Sequence, residues 1–203
     1  MPSSPTTARI LQLARSAGVL RPRDAEAVGI PGNLLARVAR QGLLTRIGRG
    51  LYSLPDATTG QHHSLAEAAK RVPRGVVCLL SALRYHDLTT QAPFEVWMAI
   101  GEKDRRPKQD GVAIRVVRYS GEALTAGAET RTIDGVPVRI FEPAKTVADC
   151  FKYRNKIGID VAVEALRDCR RSRKCSVDDL VAYGRTCRVS RVMQPYMESI
   201  VDL

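Results

Sequence analysis

Gly18, Gly29 and Gly42 cut the first 42 residues into three stretches, each with room for one short helix. In the first stretch Ile10, Leu11, Leu13, Ala14 and Ala17 recur at helical spacing, predicting a helix from near Ala8 under a Thr6 or Thr7 cap. In the second, Pro22 suits a first helical turn, and Asp24 and Glu26 suit the positive end of a helix dipole. Ile30-Pro31-Gly32-Asn33 reads as the turn that opens a third helix. Leu34, Leu35, Val38 and Ala39 make its buried stripe, and Arg37, Arg40 and Gln41 fall on the other side. Three short helices with a tight connection between the second and third describe a helix-turn-helix.

Residues 43–55 extend the pattern. Leu43-Leu44-Thr45-Arg46-Ile47 reads as a strand, Gly48-Arg49-Gly50 as a turn, and Leu51-Tyr52-Ser53-Leu54 as the returning strand, which Pro55 ends. A basic hairpin directly after such a helix is a wing, so residues 1–55 are predicted to form a winged helix-turn-helix that binds duplex DNA. A helix fits the major groove, where base edges carry a readable donor and acceptor pattern. Its outer side then needs long polar side chains, which Arg37, Arg40 and Gln41 supply, with Asn33 near the helix start. A wing lies along the sugar-phosphate backbone and needs cations, here Arg46 and Arg49. Arg21 and Arg23, at the start of the second helix, are candidate phosphate contacts. Tyr52 alternates with Leu51 and reads as packed against the third helix, not stacked on a base.

Charge agrees with this placement. The chain of 203 residues has a formal net charge of +11. Residues 1–55 hold eight Lys and Arg against two acids, so the net positive charge per residue is greatest in the N-terminal quarter. A field of that sign attracts polyanions. No apolar run approaches the roughly 18 residues of a membrane helix, and the N-terminus has no signal-peptide pattern. The five cysteines are widely and irregularly spaced, which predicts reduced thiols in a cytoplasmic protein and no zinc site.

Residues 56–63 are polar and aperiodic and read as a linker. Residues 64–203 then predict an α+β domain. A helix runs from a Ser64 cap to Val72, and the apolar stretch from Val76 runs into a helix ending near His86. Strands are predicted at 93–100 and 112–119, separated by an exposed charged loop, and a further loop extends to Gly127. Glu129–Ile133 and Val136–Phe141 form a hairpin about the Asp134-Gly135 turn. Helices are predicted from Pro143 to about Lys156, from Ile159 to about Arg171, from a Ser176 cap, and from Val189 or Ser190. The fold class is therefore α+β: an N-terminal winged helix-turn-helix, then a mixed or antiparallel sheet with flanking helices and a helical C-terminus.

This second part shows no P-loop, no G-x-G-x-x-G, no G-x-S-x-G and no H-E-x-x-H. No catalytic residue, metal site or cofactor is predicted. Cys150 lies among Val147, Ala148 and Phe151 and reads as core. Lys145 and Asp149 are spaced to pair along one helix, with a structural role favoured over a functional one. A nucleic-acid enzyme would need Asp149, Asp160, Asp178 and Asp179 to converge, and their helical positions oppose that. Arg167, Arg170, Arg171, Arg173 and Lys174 form a second basic cluster, readable as a solvated helix C-terminus, a DNA backbone contact or a surface for an acidic partner.

Four segments resemble the AbiE-type antitoxins of type IV toxin–antitoxin pairs: Arg46 to Pro55, Leu80-Ser-Ala-Leu-Arg-Tyr-His-Asp-Leu-Thr89, Val136 to Phe141, and Pro143-Ala-Lys-Thr-Val-Ala-Asp-Cys-Phe151. Their order and spacing match and together they span most of the chain. One departure is Asp87, where the family pattern has glycine. The resemblance implies a winged-helix N-domain, with Arg46 and Arg49 in the matching wing, that represses its own operon through promoter repeats. It implies a C-domain that counteracts a nucleotidyltransferase-like toxin without a direct stable complex. The expected partners are thus double-stranded promoter DNA and, functionally, that toxin, with no membrane. The competing reading is a one-component transcriptional regulator whose C-domain senses a small ligand.

Overall fold

The computed structural model describes residues 4–56, 60–108 and 111–201. The chain divides into two compact units, Met1–Pro73 with Pro107–Ala113 and Arg131–Val138, and Arg74–Arg106 with Ile114–Thr130 and Arg139–Leu203.

The first unit opens with α1 (Pro5–Ala17), α2 (Pro22–Glu26) and α3 (Asn33–Arg40), followed by β1 (Thr45–Gly48), β2 (Leu51–Ser53) and α4 (His63–Arg71). Helix α1 starts earlier than the threonine cap predicted, with Pro5 in its first turn and no side-chain cap bond. Proline's fixed φ suits that position, so the two threonines lie inside the helix. Ile10, Ala14, Leu20, Ala25, Ile30, Leu35, Val38, Leu44 and Tyr52 make one buried core. These are the residues that the helical periodicity puts inward, so burial and sequence pattern agree. Strands β1 and β2 pair antiparallel with a bulge between Arg46 and Gly48. Gly18 ends α1 at φ 60, and a Cβ there would lie 1.9 Å from the Asp134 carbonyl oxygen. Only glycine tolerates both the conformation and the approach. Residues 57–59 of the predicted linker, and 109–110 of the charged loop, lie outside the described residues. Helix α4 begins at His63, one residue before the predicted Ser64 cap.

The second unit contains β3 (Val76–Val77), α5 (Leu79–Tyr85), β4 (Val96–Gly101), β5 (Ile114–Tyr119) and α6 (Glu122–Thr125). Next come β6 (Ala128–Ile133) and β7 (Val136–Phe141), whose connecting end clusters with the first unit. Helices α7 (Pro143–Lys152), α8 (Arg154–Ile157), α9 (Ile159–Arg171), α10 (Val177–Thr186) and α11 (Ser190–Val201) complete the chain. The sheet order is β5-β4-β3-β7-β6. β3 is antiparallel to β4 and parallel to β7, and β4 is parallel to β5, so the sheet is mixed. Asp134 and Gly135, at φ 47 and φ 73, form the predicted two-residue turn.

Several expectations are corrected. The apolar run from Val76 is a strand and then a helix, because a buried strand and a buried helix leave the same unbroken apolar signature. The loop before Gly127 contains α6. The single helix expected from Pro143 to Lys156 breaks at Tyr153, whose hydroxyl donates to the Arg118 carbonyl at 3.0 Å. Cys169 and Cys175 pair as a disulfide where reduced thiols were expected, with Cα atoms 5.7 Å apart. Helix α9 ends between them and turns the chain back, a proximity that spacing alone does not reveal. Asp87 lies at φ 53, a left-handed conformation that glycine adopts freely and aspartate tolerates.

At the centre of this unit Lys145 Nζ lies 2.6 Å from Asp149 Oδ2, with neither side chain exposed. The Cys187 thiol donates to Asp149 Oδ1 at 3.2 Å, and the ammonium sits 4.0 Å from the Phe141 ring centroid. Burial pushes the Asp149 carboxyl pKa up against the pull of Lys145. Cys150 is fully buried, and burial raises its thiol pKa well above the usual value, as expected of an inert core thiol. Asp160, Asp178 and Asp179 lie at the starts of α9 and α10, away from the buried Asp149.

Candidate nucleic-acid interface

Helix α3 buries Leu35 and Val38 and leaves Asn33, Ala36, Arg37 and Arg40 exposed. Those four positions follow the i, i+3, i+4, i+7 rule, so they form one stripe along the helix. Ala36 was missed because an alanine carries no chemistry to look for. Its small side chain leaves the stripe open between Asn33 and Arg40. Gln41 is exposed just past the helix end and, with Arg37, Thr6 and Thr7, lines a concavity between α1 and α3. The guanidinium groups of Arg37 and Arg40 hold no ion pair among the described residues. The side chains are therefore available to an external acceptor.

The hairpin is anchored beside this helix by backbone bonds. Leu20 N donates to Tyr52 O at 2.8 Å and Tyr52 N to Leu20 O at 2.9 Å. The link between α1 and α2 thus meets β2 through a single bridge. Tyr52 is packed in the core, as expected, and the turn at Arg49-Gly50 projects beyond it with Gly50 at φ 69. Arg46 and Arg49 are exposed on this hairpin, and Arg46 Nε donates to Gly48 O at 3.2 Å.

Beside the turn lies a bay of about 550 Å3, lined among others by Arg23, Arg49, Lys70, Arg71 and Lys108, with Glu26 as the acid on its wall. It brings together three of the predicted residues, Arg21, Arg23 and Arg49, and adds three that the sequence did not offer. Lys70 and Arg71 stand in the last turn of α4, where cations are expected for dipole reasons alone. Lys108 is far away in sequence. Its segment is tied to α4 because Arg71 donates to the carbonyls of Val112 and Lys108, and Glu67 Oε1 accepts from Val112 N at 2.8 Å.

Arg21 is placed differently from the other cations. Its Nε and Nη2 donate to the two Asp24 carboxylate oxygens at 3.2 and 2.9 Å, and Nη1 donates to Lys70 O at 2.9 Å. Lys70 Nζ completes the arrangement, 2.8 Å from Asp24 Oδ2. Burial works to raise the Asp24 pKa, but the hydrogen bonds from Arg21 and Lys70 outweigh it and hold the carboxyl below its usual value. Arg21 and Lys70 thus support the wall of the bay, and Arg23, Arg49 and Lys108 are its exposed cations. Asn33, Arg37 and Arg40 are not part of the bay, and neither are Gln41 past the end of α3 and Arg46 on β1, so only Arg21, Arg23 and Arg49 of the predicted residues gather there.

This arrangement coincides with a family match. Residues 8–55 match the family described as "Transcriptional regulator, AbiEi antitoxin". The AbiEi-like segment contains α2, α3 and the hairpin in full, and so every predicted DNA-contact residue of the N-terminal part. Comparison with curated proteins finds no match for the chain.

Outside the AbiEi-like segment, the second basic cluster is partly consumed internally. Arg170 donates to Cys175 O at 3.1 Å, Arg171 pairs with Asp168 at 2.7 Å, and Lys174 donates to His86 O. Arg167 and Arg173 stay exposed. Among the described residues, no three His, Cys, Asp or Glu side chains are placed to hold a metal, and no helix is long and apolar enough to cross a membrane.

Proposed function

We propose that residues 1–55 act as a winged helix-turn-helix on promoter DNA, and that the protein is the antitoxin of a type IV pair that represses its own operon. The observation that carries this reading is the exposed stripe Asn33-Ala36-Arg37-Arg40 on α3 beside a hairpin with Arg49 at its tip. Helix α3 enters the major groove, and Arg37 and Arg40 read base edges there, with Asn33 and Gln41 at its ends. Arg46 and Arg49 follow the backbone, Arg23 makes the phosphate contact at the start of α2, and Arg21 positions that end. The family description supports a regulatory role over an enzymatic one. The α+β part after the linker at 56–63 carries the protection against a nucleotidyltransferase-like toxin, in the cytoplasm and without a stable complex.

The test uses the full-length chain. Arg37→Ala/Arg40→Ala is expected to abolish the gel shift of the promoter fragment while cells carrying the neighbouring toxin gene are still rescued. A double variant that shifts the promoter as the unaltered chain does sinks the DNA assignment. One that binds DNA but no longer protects sinks the division of labour.

A further inference from the structure

The second unit contains a bay of about 500 Å3 walled by Ser120, Glu122, Lys152, Arg185, Thr186 and Arg188. Three separate segments meet there: the residues that lead into α6, the C-terminal end of α7, and the end of α10. Lys152, Arg185 and Arg188 are all exposed, and none has an ion-pair partner among the described residues. Against them stands one carboxylate, Glu122.

A single cation in the last turn of a helix is explained by the helix dipole, and that covers Lys152 or Arg185 alone. It does not explain why both converge on one concavity with a third cation from beyond the helix. Arg188 lies past the end of α10 at φ 59, a conformation in which glycine is the low-cost residue. Its side chain stands on the wall of the bay.

We propose that this bay binds a small polyphosphorylated molecule through its phosphoryl groups, for which ATP serves as the probe. Three cations and two hydroxyls, from Ser120 and Thr186, supply the charge-assisted and neutral donors that phosphoryl oxygens require. The volume lies in the range of small-molecule sites. A nucleic-acid strand is disfavoured, since the cations gather at a point and do not run along a groove. The site lies wholly in the second unit and is independent of the DNA reading.

The experiment is a calorimetric titration of the full chain with ATP, without divalent cations, at physiological ionic strength. One saturable site is expected. Arg185→Ala/Arg188→Ala should lower its affinity by roughly a hundredfold, and Lys152→Gln by roughly tenfold. Lys152→Arg should keep most of the binding. Arg173→Ala, which removes an exposed cation outside the bay, and Arg49→Ala, in the first unit, should change it less than twofold. Absence of saturable ATP binding overturns the proposal. So does binding that Arg173→Ala or Arg49→Ala weakens as much as the bay variants do. If a mixed-sequence oligonucleotide, and not ATP, is the ligand lost in the bay variants, the site is a strand site and the proposal also fails. A matched near-ultraviolet circular dichroism spectrum for each variant separates lost binding from lost folding.

Discussion

Leu20 and Tyr52 exchange both of their backbone hydrogen bonds, at 2.8 and 2.9 Å, and each side chain lies in the core of the first unit. The hairpin of β1 and β2 is therefore held through one residue pair at its root. Tyr52→Ala removes a buried aromatic ring and is expected to destabilise the unit by about 3–5 kcal/mol. Tyr52→Phe keeps the ring and should melt close to the unaltered chain. A Tyr52→Ala protein with an unchanged melting temperature contradicts the anchoring role.

Arg49 stands at the tip of that hairpin, and the proposed role gives it backbone and not base edges to contact. Arg49→Ala is expected to weaken promoter binding with little change in sequence preference, and to lower the slope of log K against log salt by about one. A gel-shift titration at several salt concentrations checks this, and an unchanged slope counts against Arg49 as a phosphate contact.

Arg40 is on the exposed stripe of α3, so its loss should act on discrimination. Arg40→Ala is expected to cost about 1–3 kcal/mol on the operator and to relax preference at particular positions. Competition with single-base operator variants measures this. Equal weakening at every position assigns Arg40 to the backbone instead.

Asp24 collects Arg21 and Lys70 at the wall of the basic bay. Its carboxyl is held below the ordinary value of 3.8, so the ionised form is the one that the fold stabilises. That contribution is complete above the ordinary value and is lost as pH falls through the lowered one. Asp24→Asn is expected to cost about 1–2 kcal/mol at neutral pH and much less in strong acid, below the lowered value. It also frees two cations, so the salt slope for DNA should steepen. Thermal melts across pH and a salt titration together test the arrangement, and equal destabilisation at every pH argues against it.

The elements were largely legible because their signals are local. The three helices follow from glycine punctuation and apolar spacing, and the β6–β7 turn from an Asp-Gly pair between apolar runs. The exposed stripe of α3 came from the same periodicity, except for Ala36, which has no polar group to mark it. The features that stayed hidden depend on distant segments meeting. Lys108 stands with Arg49 because Arg71 and Glu67 of α4 hold the 107–113 segment. Arg21 read as a free cation because its acceptors, Asp24 and the Lys70 carbonyl, come together only in three dimensions. The Cys169–Cys175 disulfide and the bay at Lys152, Arg185 and Arg188 have the same origin.

Lys145 and Asp149 test what the centre of the second unit needs. Both are fully buried, so removing one partner leaves the other charge in an apolar core. Lys145→Met is expected to destabilise the unit by about 3–5 kcal/mol at neutral pH, whereas Lys145→Met/Asp149→Leu should be close to neutral. In the single variant Asp149 has to fold protonated, because burial raises its pKa and the Lys145 charge no longer opposes it. A raised pKa means that stability is fully present below the ordinary carboxylate value and is lost as pH rises through the folded one. The Lys145→Met protein should therefore lose more stability than the unaltered chain between mild acid and neutrality. Melting temperatures of the three proteins from mild acid to neutrality decide it, and a single variant whose loss is the same at every pH removes Asp149 from the account.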